Sequence, residues 1–200
     1  MKSITSDSTE NGTQIKGKVN LEKKKSDAIK GLHKLFVNEL KEIYWAEEEI
    51  KKGLNKMIKH ASVYELTDEL TIYHDVIKEH QTLIEEVFLL IDEKVEKVKC
   101  KPMEILLGEV EILLEETKKG IVRDAEIISS VVKIELYQIA TYNVVCFFVR
   151  AMGEHDAATL LHKILDQKNE NFEKLSQIID SIELERDDVE NQKMDRVYRS

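Results

Sequence analysis

Four polar side chains interrupt stretches that are otherwise apolar at helical spacing: Glu47, His80, Glu135 and Lys168. Steps of four and three pick out Phe36, Leu40, Ile43, Glu47, Ile50, Leu54 and Met57 in the first stretch. The second gives Leu70, Tyr73, Ile77, His80, Ile84, Val87 and Ile91. The third gives Ile121, Ala125, Ile128, Val132, Glu135, Ile139, Tyr142, Cys146 and Val149. The fourth gives Ala158, Leu161, Leu165, Lys168, Phe172, Leu175, Ile179 and Ile182. Each seam is broken once, near its middle.

An unpaired carboxylate in an apolar interior is costly, so each glutamate requires a metal ion, a cation or a proton. Glu47, His80 and Glu135, one from each of three helices, are the candidate metal ligands and would suit one zinc or iron ion with an open position. A di-iron site asks for more, namely oxygen donors from all four helices and usually a Glu-x-x-His pair on two of them. Gln138 is a weak extra donor. Lys168 argues the other way, because an ammonium in the same layer repels metal and can pair with both glutamates in the metal's place, with His80 adding a hydrogen bond. The leading expectation is a metal-free layer with no cofactor. The alternative is iron, or a single divalent metal.

Other candidates are weaker. His33, His60, His74, His155 and His162 stand singly, and His162 with Asp166 makes an exposed helical pair. Tyr73, Tyr142 and Phe172 sit on seams, where packing is the default role. The chain has no nucleophile paired with a base, no glycine-rich phosphate loop and no zinc cysteine motif.

The elements that must position these residues follow from the same pattern. The first long helix is expected from Ala28 or Gly31 to Ala61, and Ser62 with Glu65 has the spacing of a capping box opening a second helix that ends near Ile91 or Glu93. Residues 93–120 form a long connection in which Pro102 opens a short amphipathic helix carrying Met103, Leu106, Leu107, Val110, Leu113 and Leu114, ended by Gly120. The third long helix runs from Ile121 to about Gly153, and the fourth from about His155 to Glu183. Two hairpins joined by one long connection define an all-α, ferritin-like four-helix bundle, in which the four mid-points meet in one layer. The domain reading is a disordered N-terminal tail over 1–27, the bundle over 28–183 and a charged C-terminal tail over 184–200.

Composition narrows the functional classes. The chain has 200 residues, 42% hydrophobic and 34% charged, with a net charge of −9. Residues 1–28 carry +2 and residues 183–200 carry −2, so the acidity belongs to the body and argues against nonspecific nucleic-acid binding. The longest apolar run, Val144 to Val149, is far short of the ~20 residues of a membrane span, and no signal-peptide pattern opens the chain. Two cysteines, Cys100 and Cys146, suit reduced thiols and a cytoplasmic location.

Several separated pieces between Leu35 and Ile179 resemble the YciF and YciE type of ferritin-like bacterial stress proteins. They are Leu40 to Tyr44 with Ala46 and Glu47, Lys99 and Cys100 followed by Met103 and Glu104, Val122 to Ala125, Lys133 to Ala140, and Ala157 and Ala158 with Leu160 and Leu161. The resemblance implies a cytoplasmic bundle, often dimeric, with a carboxylate-rich site for two metals and a role in stress responses. It matches Glu47 and Glu135 to metal-facing acids and puts His80 where a polar ligand fits. The chain departs from that pattern at Val76, Leu136, Gln138, Lys168 and Phe172, which stand where donors are expected. The functional expectation is therefore a noncatalytic stress-associated protein acting as a homodimer or through a protein partner, with no nucleic-acid or membrane role. An oxygen- or peroxide-reactive metalloprotein is the enzyme alternative, and iron storage a third class.

Overall fold

In the computed structural model, the backbone is described for residues 9–198 and the side chains for residues 23–178. Five helices follow one another: α1 (Thr9–His60), α2 (Tyr64–Leu90), α3 (Lys101–Glu116), α4 (Ile121–Met152) and α5 (His155–Tyr198). Among the described residues there is no strand. The order is that expected from the seams, four long helices with a short one in the crossover.

Helix directions follow from which seam residues share a core cluster. Phe36, Ile91, Val149 and Ala158 gather at one end of the bundle, and Ala61, Leu66, Ile127 and Leu175 at the other. Thus α1 and α5 run one way, and α2 and α4 run the opposite way. The helices pack in a ring of α1 on α2, α2 on α5, α5 on α4 and α4 on α1, while α3 lies across α1 and α4. Because α2 and α4 are parallel, the chain must travel the length of the bundle between them. It does so along α1, where Val98 N–H donates to the Lys41 carbonyl at 3.2 Å, and Lys41 pairs with Glu96 and Lys97 with Glu48. This single long crossover is the ferritin-like arrangement.

The seams of α1 and α2 are buried along their full expected length. On α4 the pattern differs: Ile121 and Ala125 are exposed, and Asp124, Ile127 and Val131 face inward instead. Alternating steps of four and three average 3.5 residues per turn against 3.6 for a straight helix, so a long seam rotates by ~20° per heptad. On α5 the same drift leaves Phe172 half-buried and turns Asn171 into the interior. The seam positions Ile179 and Ile182 lie beyond the described side chains.

Two local expectations are corrected. The turn before α2 is not a capping box: Val63 is the N-cap, and Asp124 from α4 accepts from Ser62 N–H and Ser62 Oγ at 2.8 Å and from Val63 N–H at 3.2 Å. Ser62 is thus a donor to a buried carboxylate and leaves Glu65 on the surface. Gly120 does not end α3, which stops at Glu116; it is the N-cap of α4 at φ 146°, a backbone region open to glycine. Helix is also described beyond the expected bundle bounds, from Thr9 in α1 to Tyr198 in α5. The added segments contain no proline, the residue that would break a helix interior. Among the described side chains the first core residue of α1 is Phe36.

By length and apolar composition alone α4 is long enough to cross a membrane. Its inward face, however, packs in the bundle and carries Asp124, Glu135 and Gln138, all buried.

Candidate functional site

The core divides into two apolar clusters. One holds Ala46 and Ile50 of α1, Tyr73 and Ile77 of α2, and Ile134 of α4; the other holds Ile43, Ile84, Tyr142 and Leu165. Between them lies a polar layer made by the residue that interrupts each seam. Glu47, His80, Glu135 and Lys168 are all fully buried and all point into it.

Lys168 is its hub. Its Nζ lies 3.0 Å from Glu47 Oε1 and 3.7 Å from Glu135 Oε2, bridging two carboxylates from different helices. It donates weakly to the Tyr73 hydroxyl at 3.5 Å, and sits 5.6 Å and 5.4 Å from the centres of the Tyr73 and Tyr142 rings. Such ring faces help to replace the water a buried cation loses. The Tyr142 hydroxyl donates to Glu47 Oε1 at 2.8 Å, Asn171 donates to Glu135 Oε1, and His80 Nδ1 lies 3.5 Å from Glu47 Oε2, a contact long for a hydrogen bond.

The two glutamates are electrostatically unequal. Burial alone would raise the Glu47 carboxyl, but Lys168 above all, then His80 and Tyr142, outweigh it and hold it at about 2. For Glu135 burial wins. Its carboxyl stays above the usual range despite the pull of Lys168 and the support of Tyr73 and Asn171, and repulsion from Glu47 adds to the rise. One firm ion pair is therefore completed by a carboxyl inclined to keep its proton.

The residues fail to fit a pair of metal ions on the chemistry of the donor set. Two such ions bring a total charge of four or more and need oxygen donors from every helix. Here α5 supplies an ammonium and an amide. Val76 and the half-buried Phe172 offer no donor, and Leu136 is exposed on the outside of α4. Among the described residues no three His, Cys, Asp or Glu side chains form a group able to hold a metal ion. The layer also holds atoms with no hydrogen-bond partner: Glu47 Oε2, Glu135 Oε2 and both His80 nitrogens.

Sequence reasoning found the four central residues but not Asn171 or Asp124. Asn171 is one position before the apolar Phe172 and is turned inward by the seam drift. Asp124 carries a legible signal only in hindsight, as an acid one turn before Ile127 and Ile128. Cys100 and Cys146 are free and buried.

A bundle with one long crossover and a buried polar layer at mid-height belongs to the ferritin-like helical proteins, here with a lysine at the centre of the layer. More specifically, the chain belongs to the family described as a domain of unknown function, DUF892, which it matches over residues 31–186. It is 28% identical over 154 residues to the protein YciF of Escherichia coli (strain K12), covering 75% of this chain and 91% of that protein. The crystal structure of the E. coli stress protein YciF matches with a TM-score of 0.73 at 26% identity, over 76% of this chain and 96% of the other. YcfI from Rhodopseudomonas palustris matches with a TM-score of 0.70 at 28% identity, over 72% and 92%.

Proposed function

We propose that this chain is a noncatalytic, stress-associated helical protein in which Lys168 supplies the positive charge that a ferritin-like centre otherwise takes from metal ions. One observation carries the reading: the Lys168 ammonium stands between Glu47 and Glu135, at 3.0 Å and 3.7 Å. Every member of the layer is buried, which supports a role for the ion pair within the bundle itself. YciF, the similar E. coli protein, is described as a stress protein, which supports the stress setting. The reading includes a cytoplasmic location and no nucleic-acid or membrane partner.

Its working surface is the outer face of α4. Leu136, Val144 and Phe147 are about half exposed there, with Lys133 and Ala140 on the same stripe and no acid among them. On a chain with net charge −9, an acid-free apolar stripe is where a second copy meets least repulsion. A two-fold axis at Ala140 would set Leu136 against Val144 and Lys133 against Phe147 of the second copy, a self-complementary pairing. The occupant is thus a second copy of this chain.

Metal analysis of the purified full chain, combined with its mass in solution, tests both parts. The expected result is a dimer without stoichiometric metal. Iron at about two ions per chain with an oxo-iron absorption band overturns the metal-free reading, and a monomer at micromolar concentration overturns the dimer, leaving a different protein as the occupant of α4. The unpartnered atoms of Glu47, Glu135 and His80 favour the second reading, a protein that uses one metal ion with oxygen or peroxide, in which Lys168 would have to leave the layer.

A further inference from the structure

A narrow cleft between α1 and α4 is lined by Glu39, Glu42, Cys100, Tyr137, Gln138 and Thr141. Its enclosed space, about 10 Å³, admits a single atom the size of a water molecule. The charges around it are one-sided. On the same helix Glu47, Glu48 and Glu49 each have a Lys or His partner, whereas Glu39 and Glu42 have no ion pair among the described residues. Burial and the repulsion of Glu42 both raise the Glu39 carboxyl. Asn38 donates to one oxygen of Glu42 at 3.0 Å and leaves the other free.

A second observation is independent of the acids. Gln138 is 1% exposed, lines the cleft from the α4 side, and its Oε1 has no hydrogen-bond partner. An orphaned amide oxygen beside two unpaired carboxylates is a donor set for a cation. The sulfur in the cleft does not alter its character: Cys100 Sγ is 3.3 Å from the Tyr137 hydroxyl, and burial with Cys100 and Glu42 beside it keeps that phenol protonated. The available ligands are therefore hard oxygens, which suit magnesium, calcium or manganese.

We propose that this cleft binds one small divalent cation on the carboxylates of Glu39 and Glu42 and the amide oxygen of Gln138, with water on the open side. The site lies off the central layer and contains no ammonium, so it is independent of the role assigned to Lys168.

Manganese is the probe. The full chain is titrated with manganese chloride and followed by electron paramagnetic resonance, with calcium as competitor, and paramagnetic broadening of amide signals locates the ion. The expected result is one saturable, calcium-displaceable ion that broadens residues 39–42 and 137–141. Glu39→Gln and Gln138→Leu should each weaken binding by about tenfold or more. Glu39→Gln is nearly isosteric at a half-buried position, so it decides the matter alone if Gln138→Leu does not fold. No saturation by ~1 mM, where weak extracellular-type calcium sites already fill, or unchanged affinity in Glu39→Gln overturns the proposal. Broadening centred on His80 and Tyr73 overturns it too, and separately sinks the metal-free reading of the central layer.

Discussion

Replacing Lys168 with methionine removes the ammonium of the central layer while nearly keeping the volume and the apolar stem. The glutamates left behind are fully buried, one held at about 2 largely against its own desolvation by this lysine. Breaking a buried pair by deleting one partner costs ~3–5 kcal/mol. The electrostatic bookkeeping agrees: a carboxyl held near 2 rather than 4.5 contributes about 3 kcal/mol at neutral pH. Without the lysine that contribution vanishes, and Glu47 either stays charged beside Glu135 or takes a proton.

The pH dependence separates this mechanism from simple loss of packing. In the native chain Glu47 has a depressed folded value, so its contribution is present above the unfolded value of 4.5 and is lost as pH falls through about 2. Glu135 is raised in the native chain, so it gains stability as pH falls through its folded value toward 4.5. In Lys168→Met both carboxyls have raised folded values, and stability should rise between pH 7 and pH 5 by more than in the native chain. Urea melts at the two pH values, followed through the single Trp45, measure both effects. A further variant that also changes Glu47 and Glu135 to methionine should recover most of the loss, since an apolar layer needs no counter-charge. No loss in Lys168→Met at pH 7, or a deficit equal at pH 7 and pH 5, would refute the reasoning.

Other perturbations probe separate joints of the fold. Asp124→Ala strips three hydrogen bonds from Ser62 and Val63 and should cost ~2 kcal/mol in urea melts, with faster hydrogen exchange at those two amides; unchanged exchange would show that the cap is not needed. Gly153→Ala, at φ 84°, should cost ~1 kcal/mol by strain after the end of α4. At Gly53 an added Cβ meets only the tip of Leu107, at 2.8 Å, so Gly53→Ala should stay within ~1 kcal/mol of native as gained helix propensity offsets the shift; a larger loss would mean that α3 holds Leu107 rigidly. The triple variant Val76→Glu, Gln138→His and Lys168→Glu should be weakly stable alone and should gain at least ~2.7 kcal/mol at a hundredfold excess of ferrous or zinc ion over its dissociation constant. Calorimetry on it and on the native chain checks whether the altered side chains share one layer.

The residues that occupy seams were legible in the sequence because burial imposes a period. Glu47 and His80 each break an apolar run of seven at its fourth member, and nothing but a shared layer explains four such breaks at mid-helix. The crossover was legible from its length, and the direction of α4 followed from it. What the sequence hid depends on rotation and on contacts between distant segments. Ile121 and Ala125 satisfied the four-three pattern but lie past the point where a straight helix carries it outward. Ser62 and Glu65 matched a local cap, yet a carboxylate from 62 residues away took the donors. The metal question was open in the sequence because Glu47, His80 and Glu135 make a plausible ligand set on their own; whether the Lys168 ammonium reaches two of them depends on packing, which sets it 3.0 Å from Glu47 and 3.7 Å from Glu135.

The position of the layer explains why a bundle would keep so costly a group. Two apolar clusters of similar character lie on either side of it, and Leu, Ile and Val contacts alone would tolerate one helix sliding past another by a turn, ~5.4 Å. Such a slip would move Lys168 from 3.0 Å to beyond contact with Glu47 and bury both charges among aliphatic side chains. The penalty falls on every register but one, for each of the four long helices. Di-metal centres impose the same restriction through ligands drawn from all four helices. In this chain an ammonium between two unequal carboxyls imposes it: Glu47 holds the charge, and Glu135, inclined to keep its proton, spares the layer a second net negative charge.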